Sequence, residues 1–331
     1  MPNTRCADRK GSWSTYPNGA GSAPTPVVRP NRILAFMKKP PFARVVAAVA
    51  TPFLSDDRVD VGRLLAHCRW LLAEGCDGLL MFGSTGEASS LTLDERRDII
   101  DHLIGNGIAA PCLLIGSGCC ALDDTISLTR HAIDRACAGV LVVPPFFYKN
   151  LEEEGILRYY RQLIDKVADN RLALYLYHFP QTAMVSISVE VTRDLADRYP
   201  DIVRGYKDSS GDWTHTDRLL AEFPDLDIYS GSEARLSEVL RRGGAGCVSA
   251  TANVQPRAIR QVVENTGQPA QADLQKHVGA CRQAFQGLPV VPAVKAALAR
   301  IHNDRAWSFL RAPLTSLDPV VQAGLLKAIG L

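Results

Sequence analysis

Residues 44–82 read RVVAAVATPFLSDDRVDVGRLLAHCRWLLAEGCDGLLMF: an apolar run, a polar turn, an amphipathic stretch and a second apolar run. The two apolar runs, Arg44–Ala50 and Gly78–Phe82, are short and carry no polar alternation after Arg44, the pattern of strands buried on both faces of a parallel sheet. Between them Leu64, Leu65, Cys68, Leu71 and Leu72 recur at helical spacing within Val61–Ala73. Parallel neighbours require such a crossover. An open sheet built to bind a dinucleotide would place a glycine-rich turn after its first strand. Here that strand runs out into Thr51-Pro52-Phe53.

The same unit recurs along the chain. Further apolar runs lie at Cys112–Gly116, Gly139–Val143, Leu172–Tyr177, Ile202–Lys207, Leu226–Tyr229 and Gly246–Ala250. Helical patterns fill 93–106, 122–136, 153–168, 187–198, 213–223, 233–242 and 256–265, and Thr92 followed by Asp94-Glu95 marks one start with an N-cap and an acidic first turn. Eight strand–helix units in series predict an α/β chain folded as a (β/α)₈ TIM barrel over residues 41–268. Beyond it, 269–331 carries three helical patterns, Gln271–Phe285, Pro292–Asn303 and Pro319–Ile329, expected to pack on the barrel as an appended segment. Residues 1–40 are rich in Pro, Gly, Ser, Thr, Asn and Arg and lack periodicity, so a disordered tail is expected. Deletion of residues 1–36 should then leave the melting temperature nearly unchanged. A large loss of stability would show that the tail docks.

Composition narrows the function. The 331 residues are 47% apolar and 22% charged, a globular balance, and the net charge is only +2. So small a net charge gives no electrostatic footprint for nucleic acid or an anionic membrane. The longest stretch without an ionisable Asp, Glu, Lys, Arg or His, Leu103–Leu122, contains Pro111 and four glycines and reads as a turn and a strand, not a membrane span. Nine cysteines without metal-ligand spacing, and no apolar leader core, fit a reducing cytoplasm.

A barrel carries its chemistry at the C-terminal ends of its strands. Strand six ends on Lys207. Strict alternation groups Val203, Gly205 and Lys207 on one face and Arg204 and Tyr206 on the other. If the lysine face is inward, its amine enters a confined site; burial disfavours an ammonium ion, and a neutral lysine amine is the nucleophile of Schiff-base catalysis. The plain alternative is a solvated strand-end lysine. Tyr177 ends the adjacent strand, where a phenol can move protons, while His178 beside it is turned away and reads as structural. Gly83-Ser84-Thr85-Gly86-Glu87 after strand two sets two hydroxyls between glycines, a turn able to present backbone N–H groups to a carboxylate. It is not a Walker loop, and Gly243-Gly244-Ala245-Gly246 lies before strand eight, at the wrong end for a phosphate site.

Taken jointly, five features resemble the dihydrodipicolinate synthase/N-acetylneuraminate lyase family over about residues 44–300: Gly83–Glu87, the aromatic loop ending at Tyr148, Tyr177 with Pro180, Gly205-Tyr206-Lys207, and Ser249-Ala250-Thr251-Ala252-Asn253. The resemblance implies a class I pyruvate aldolase, assembled as a tetramer from dimers. It implies Lys207 as the imine-forming lysine and Tyr177 as the general acid/base. Ser84 and Thr85 would hold the pyruvate carboxylate and relay protons, with Gly86 in the same turn. Tyr148 would complete the relay across a subunit boundary, and Gly231 and Val248 would line the substrate near the lysine. No metal or organic cofactor is needed for this chemistry. The partners implied are pyruvate and an aldehyde or 2-oxo acid.

Two departures bear on the substrate. The lysine-pathway synthases carry an Arg two residues after the strand-five Pro; here that position is Thr182, which cannot pair bidentately with a second carboxylate. The sialate lyases carry an aromatic residue and two acids after the strand-seven Gly; here Gly231 precedes Ser232-Glu233-Ala234. The expectation is an aldolase of 2-keto-sugar acids or hydroxy-oxo acids, with the synthase proper, a sugar-acid dehydratase and a non-catalytic barrel as alternatives. Arg204, Arg235 and Arg257 stand as possible substitutes for the missing cation.

Overall fold

The computed structural model describes residues 42–331. The expected tail, residues 1–40, lies outside the described residues. Eight parallel strands close into one barrel in sequence order: β1 (Val45–Ala48), β2 (Gly78–Met81), β3 (Leu113–Gly116), β4 (Gly139–Val142), β5 (Leu174–His178), β6 (Val203–Asp208), β7 (Asp227–Ser230) and β8 (Gly246–Ser249), with β8 paired back to β1. The helices between them begin with α1 (Val61–Ala73), α2 (Leu93–Gly105), α3 (Leu122–Asp134) and α4 (Glu153–Val167). A short helix, α5 (Pro180–Ala183), leads into α6 (Val189–Arg198), followed by α7 (Trp213–Glu222), α8 (Leu236–Arg241) and α9 (Pro256–Glu264). Local signals set the boundaries. Thr92 and Glu95 form a reciprocal capping box on α2, and Asp60 caps α1 by accepting from the Arg63 amide.

Side chains partition by face. Val46, Leu80, Leu114, Leu141, Tyr177 and Val248 fill the bore, while Val45, Leu79, Ile115 and Val140 join the layer beneath the helices. On β6 the alternation expected from the sequence does not hold along the whole strand. Leu174 pairs with Val203 but Tyr175 pairs with Gly205, so Arg204 is one residue too many and forms a bulge. Val203 therefore turns outward into the helix layer with Tyr206, and only Gly205 and Lys207 face the bore. A Cβ on Gly205 would lie 2.7 Å from the Tyr175 ring, so a side chain there would have to displace that tyrosine.

The segment after the barrel forms α10 (Gln271–Ala284), α11 (Val290–Ile301) and α12 (Pro319–Ala328). Val294, Ala297, Leu298, Trp307 and Leu325 pack together against Ala50 at the end of β1. Two polar links fasten this segment. Lys295 of α11 is fully buried, pairs with Glu87, donates to the Phe309 carbonyl at 2.8 Å and lies over the Phe53 ring at 4.3 Å. Burial pushes Glu87 up and Lys295 down, and each opposes the shift of the other. Lys295→Ala is expected to destabilise the fold by about 3–5 kcal/mol, because it strands a buried carboxylate. The double change Glu87→Gln, Lys295→Met should recover part of that loss in urea unfolding. A loss under about 1 kcal/mol, the range of exposed pairs, would contradict the burial of the pair.

The second link is His67, whose Nε2 lies 3.0 Å from Asn253 Oδ1 and whose Nδ1 lies 3.3 Å from His302 Nε2, with Trp307 against its ring. Burial pulls His67 down to about 3 and His178 to about 4. The unfolded chain takes up these protons near pH ~6.5 and the folded chain does not, so stability is complete above that pH and falls as pH drops from there toward 4. The melting temperature should decline between pH 7 and 5, less steeply in His67→Gln. A flat profile in the native protein would contradict neutral burial. The cysteines among the described residues are free thiols, adjacent Cys119 and Cys120 included. No described helix is long and apolar enough to cross a membrane.

Candidate active site

The turn after β2 is built by close backbone approach. Phe82 and Glu87 both take positive φ, 57° and 55°, and Gly86 and Glu87 donate back to the Gly83 and Ser84 carbonyls at 3.0 and 3.3 Å. A Cβ on Gly86 would sit 2.8 Å from the Val49 carbonyl, and one on Gly116 would sit 2.2 Å from the Phe82 carbonyl, so both positions require glycine. Thr51 Oγ1 donates to the Gly86 carbonyl at 2.7 Å, and Lys295 holds Glu87 from behind. Among the described residues the Ser84 and Thr85 amides have no acceptor. Two adjacent free N–H groups beside two hydroxyls suit a carboxylate.

Three of the sequence candidates meet. Ser84 Oγ lies 3.5 Å from Tyr177 Oη, and Lys207 Nζ lies 4.2 Å from the centroid of the Tyr177 ring. Tyr177 and Lys207 are neighbours in the β5–β6 register and are 6% and 5% exposed, so both are held within the bore. Thr85 is buried in the same turn as Ser84 and Gly86. Val248 fills the bore beside them, and the Gly231 amide donates to the Asp208 carbonyl at 2.6 Å, next to the lysine. Tyr148 is not brought to this group within one chain. It is 66% exposed, edge-on to an equally exposed Phe147.

A cavity of about 100 Å³ opens over Ser84 and Tyr177, and Thr182 lines it as the sequence position suggests. Its wall includes Phe82, Phe146 and Phe179, the last stacked on Tyr177 with centroids 5.8 Å apart. Nothing in the sequence marks these rings as a shared wall, and the run Phe146-Phe147-Tyr148 points only to its tyrosine. Lys149 fixes the cavity rim by donating to the Phe146 and Ala183 carbonyls.

The three arginines weighed as replacement cations are engaged elsewhere. Arg257 pairs bidentately with Glu74, Arg235 pairs with Glu238 over the Trp213 ring, and Arg204 sits in the bulge near the N-terminal end of β6; none lines the cavity. Glu233 is likewise withdrawn. It is fully buried and accepts from Ser249, Thr251 and Gln255, so the Ser249–Asn253 motif serves as a clip between β8 and the turn after β7.

Behind the candidate pair, His178, Asp208 and His215 bring ligating atoms within 4.8 Å of one another, the one such group among the described residues. Their atoms are already hydrogen-bonded. His178 Nδ1 accepts from the Ile187 amide, Asp208 accepts from the Ser210 amide and the Thr216 hydroxyl, and His215 Nε2 contacts Tyr206 Oη. His178 thus faces away from the bore, as the alternation predicts, and this network braces the strand ends that carry Tyr177 and Lys207.

Comparison with known proteins bears on the whole chain. The sequence profile of the dihydrodipicolinate synthetase family matches residues 41–329. An uncharacterised DapA-like lyase of Chloroflexus aurantiacus is 36% identical over 287 residues, 86% of this chain and 95% of that one. The crystal structure of dihydrodipicolinate synthase from Agrobacterium tumefaciens superposes with a TM-score of 0.81 at 31% identity, covering 86% of this chain and 98% of that one. YagE, a prophage protein of the same family from E. coli K12 solved with pyruvate, gives 0.79 at 26% identity over 88% of this chain and 99% of its own.

Proposed function

Because the chain belongs to the dihydrodipicolinate synthetase family and is a pyruvate-dependent lyase of that family, we propose that it is a class I aldolase whose Lys207 forms an imine with pyruvate. The observation that carries this reading is the placement of a buried lysine amine against the Tyr177 ring, with the Tyr177 hydroxyl in reach of Ser84.

The chemistry follows from these groups. The Lys207 amine adds to C2 of pyruvate while the carboxylate rests on the Ser84 and Thr85 amides beside Gly86. The carbinolamine loses water as Tyr177 and Ser84 pass protons to and from the oxygen. The resulting iminium withdraws electrons from C3, whose proton leaves to give an enamine. C3 then bonds to the carbonyl carbon of an aldehyde, the aldehyde oxygen takes a proton, and water releases the product from Lys207. Cleavage of a 4-hydroxy-2-oxo acid is the same path reversed. We assign Val248, in the bore cluster with Tyr177, and Gly231, whose amide donates to the Asp208 carbonyl, to limiting the space around the imine. We assign Tyr148 to the relay of a neighbouring copy within a tetramer built from dimers; its exposure edge-on to the exposed ring of Phe147 supports that placement.

Incubation with pyruvate alone in D₂O tests the first half of the path. The methyl protons should exchange for deuterium in the NMR spectrum at a rate proportional to enzyme. No exchange above the background rate would contradict enamine formation.

A further inference from the structure

The cavity beyond Ser84 and Tyr177 has the chemistry of an apolar pocket. Its outer wall is made of Phe82, Leu141, Val143, Phe146, Phe179 and Ala183, and among the described residues no charged side chain lines it. Away from the Ser84–Tyr177 pair, its polar side chains are Ser89 and Thr182. Two nearby cations are turned from it. Arg96 is buried behind the wall, where it donates to the carbonyl of cavity-lining Ala88, and Lys149 is bound to the Phe146 and Ala183 carbonyls.

From this wall we infer that the aldehyde half of the reaction is uncharged and apolar, an aryl or alkyl aldehyde rather than a polyhydroxylated or carboxylate-bearing one. The inference rests on the pyruvate aldolase reading and specifies its second substrate. A carboxylate entering the cavity would lose water without gaining a cation. A glyceraldehyde-type chain brings two hydroxyls, each a donor with two acceptor sites, to a wall holding two side-chain hydroxyls. An aryl group needs none of these partners and meets aromatic rings on the wall. Phe179 matters most, since its ring stacks on Tyr177 and so presents the aryl surface next to the proton-transferring phenol. The step balances without further reagents. The enamine C3 forms one bond to the aldehyde carbon, the carbonyl π pair becomes the 4-hydroxyl after protonation, and one water hydrolyses the iminium to free the amine.

The test compares kcat/KM for pyruvate condensation with benzaldehyde, D-glyceraldehyde and aspartate semialdehyde, reading the 4-hydroxy-2-oxo acid product by mass. Benzaldehyde should exceed each of the others by at least ~10-fold, the discrimination a hydrophobic pocket supplies. Phe146→Ser and Phe179→Ser should each lower the benzaldehyde-to-glyceraldehyde ratio by a similar factor. The ratio is the readout because loss of the Phe179 stack also perturbs Tyr177. Preference for glyceraldehyde or aspartate semialdehyde, or ratios unmoved in both variants, would overturn the inference. Trapping of the imine with pyruvate alone separates the two readings. An imine with the wrong aldehyde preference removes only this inference; no imine removes the aldolase reading and this one with it.

Discussion

Lys207→Ala will leave a folded barrel that forms no pyruvate adduct and turns over at least ~10⁴-fold more slowly, the scale on which removal of a covalent nucleophile is felt. Nothing lining the adjoining cavity replaces it among the described residues: the polar side chains there, Ser84, Ser89, Tyr177 and Thr182, are hydroxyls, which cannot form an imine. Lys207→Arg should be equally inactive, since a guanidinium keeps the charge but does not give up its proton. That variant separates nucleophilicity from electrostatics. Stability should not fall in the alanine variant. Among the described residues Lys207 makes no ion pair, in contrast to Lys295. A buried amine without an acidic partner is maintained at a cost, and its removal relieves that cost. A melting temperature equal to or above the parent, with catalysis gone, is the combined expectation. Retained turnover would remove Lys207 from the mechanism.

Tyr177→Phe will slow turnover by ~10²–10⁴-fold, the usual contribution of a positioned proton-transfer group, while keeping part of the imine-forming capacity. The ring that packs against Lys207 and Phe179 remains, so the geometry of the lysine is preserved. What disappears is the hydroxyl 3.5 Å from Ser84 Oγ. Steps that need a proton at the pyruvate oxygen or at C3 should slow. Attack by the amine itself should slow less. Single-turnover measurements should therefore show the adduct accumulating and deuterium exchange lagging behind it. Wild-type exchange rates would place the proton transfer elsewhere.

The architecture was readable from the chain because buried parallel strands and their crossover helices repeat so regularly. Runs such as Gly78–Phe82 and Gly139–Val143 mark β2 and β4 to within a residue. The candidate site was readable for a related reason: a barrel places strand ends together, so Ser84, Tyr177 and Lys207 are neighbours once their strands are assigned. Three features escaped. The Arg204 bulge reverses Val203, and nothing in Ile202–Lys207 distinguishes a bulged strand from a regular one. The Glu87–Lys295 pair spans the barrel and the C-terminal helices, and a contact over such separation has no local signature. The apolar cavity is assembled from the ends of β2, β3, β4 and β5 and the loops that follow them, segments far apart in the chain whose joint wall has no local signature.

Borohydride reduction in the presence of pyruvate, followed by intact mass and peptide mapping, tests the central claim most directly. One reduced pyruvate per chain, located on Lys207 and absent from Lys207→Ala, is the predicted result. No adduct, or an adduct confined to other lysines, would contradict it.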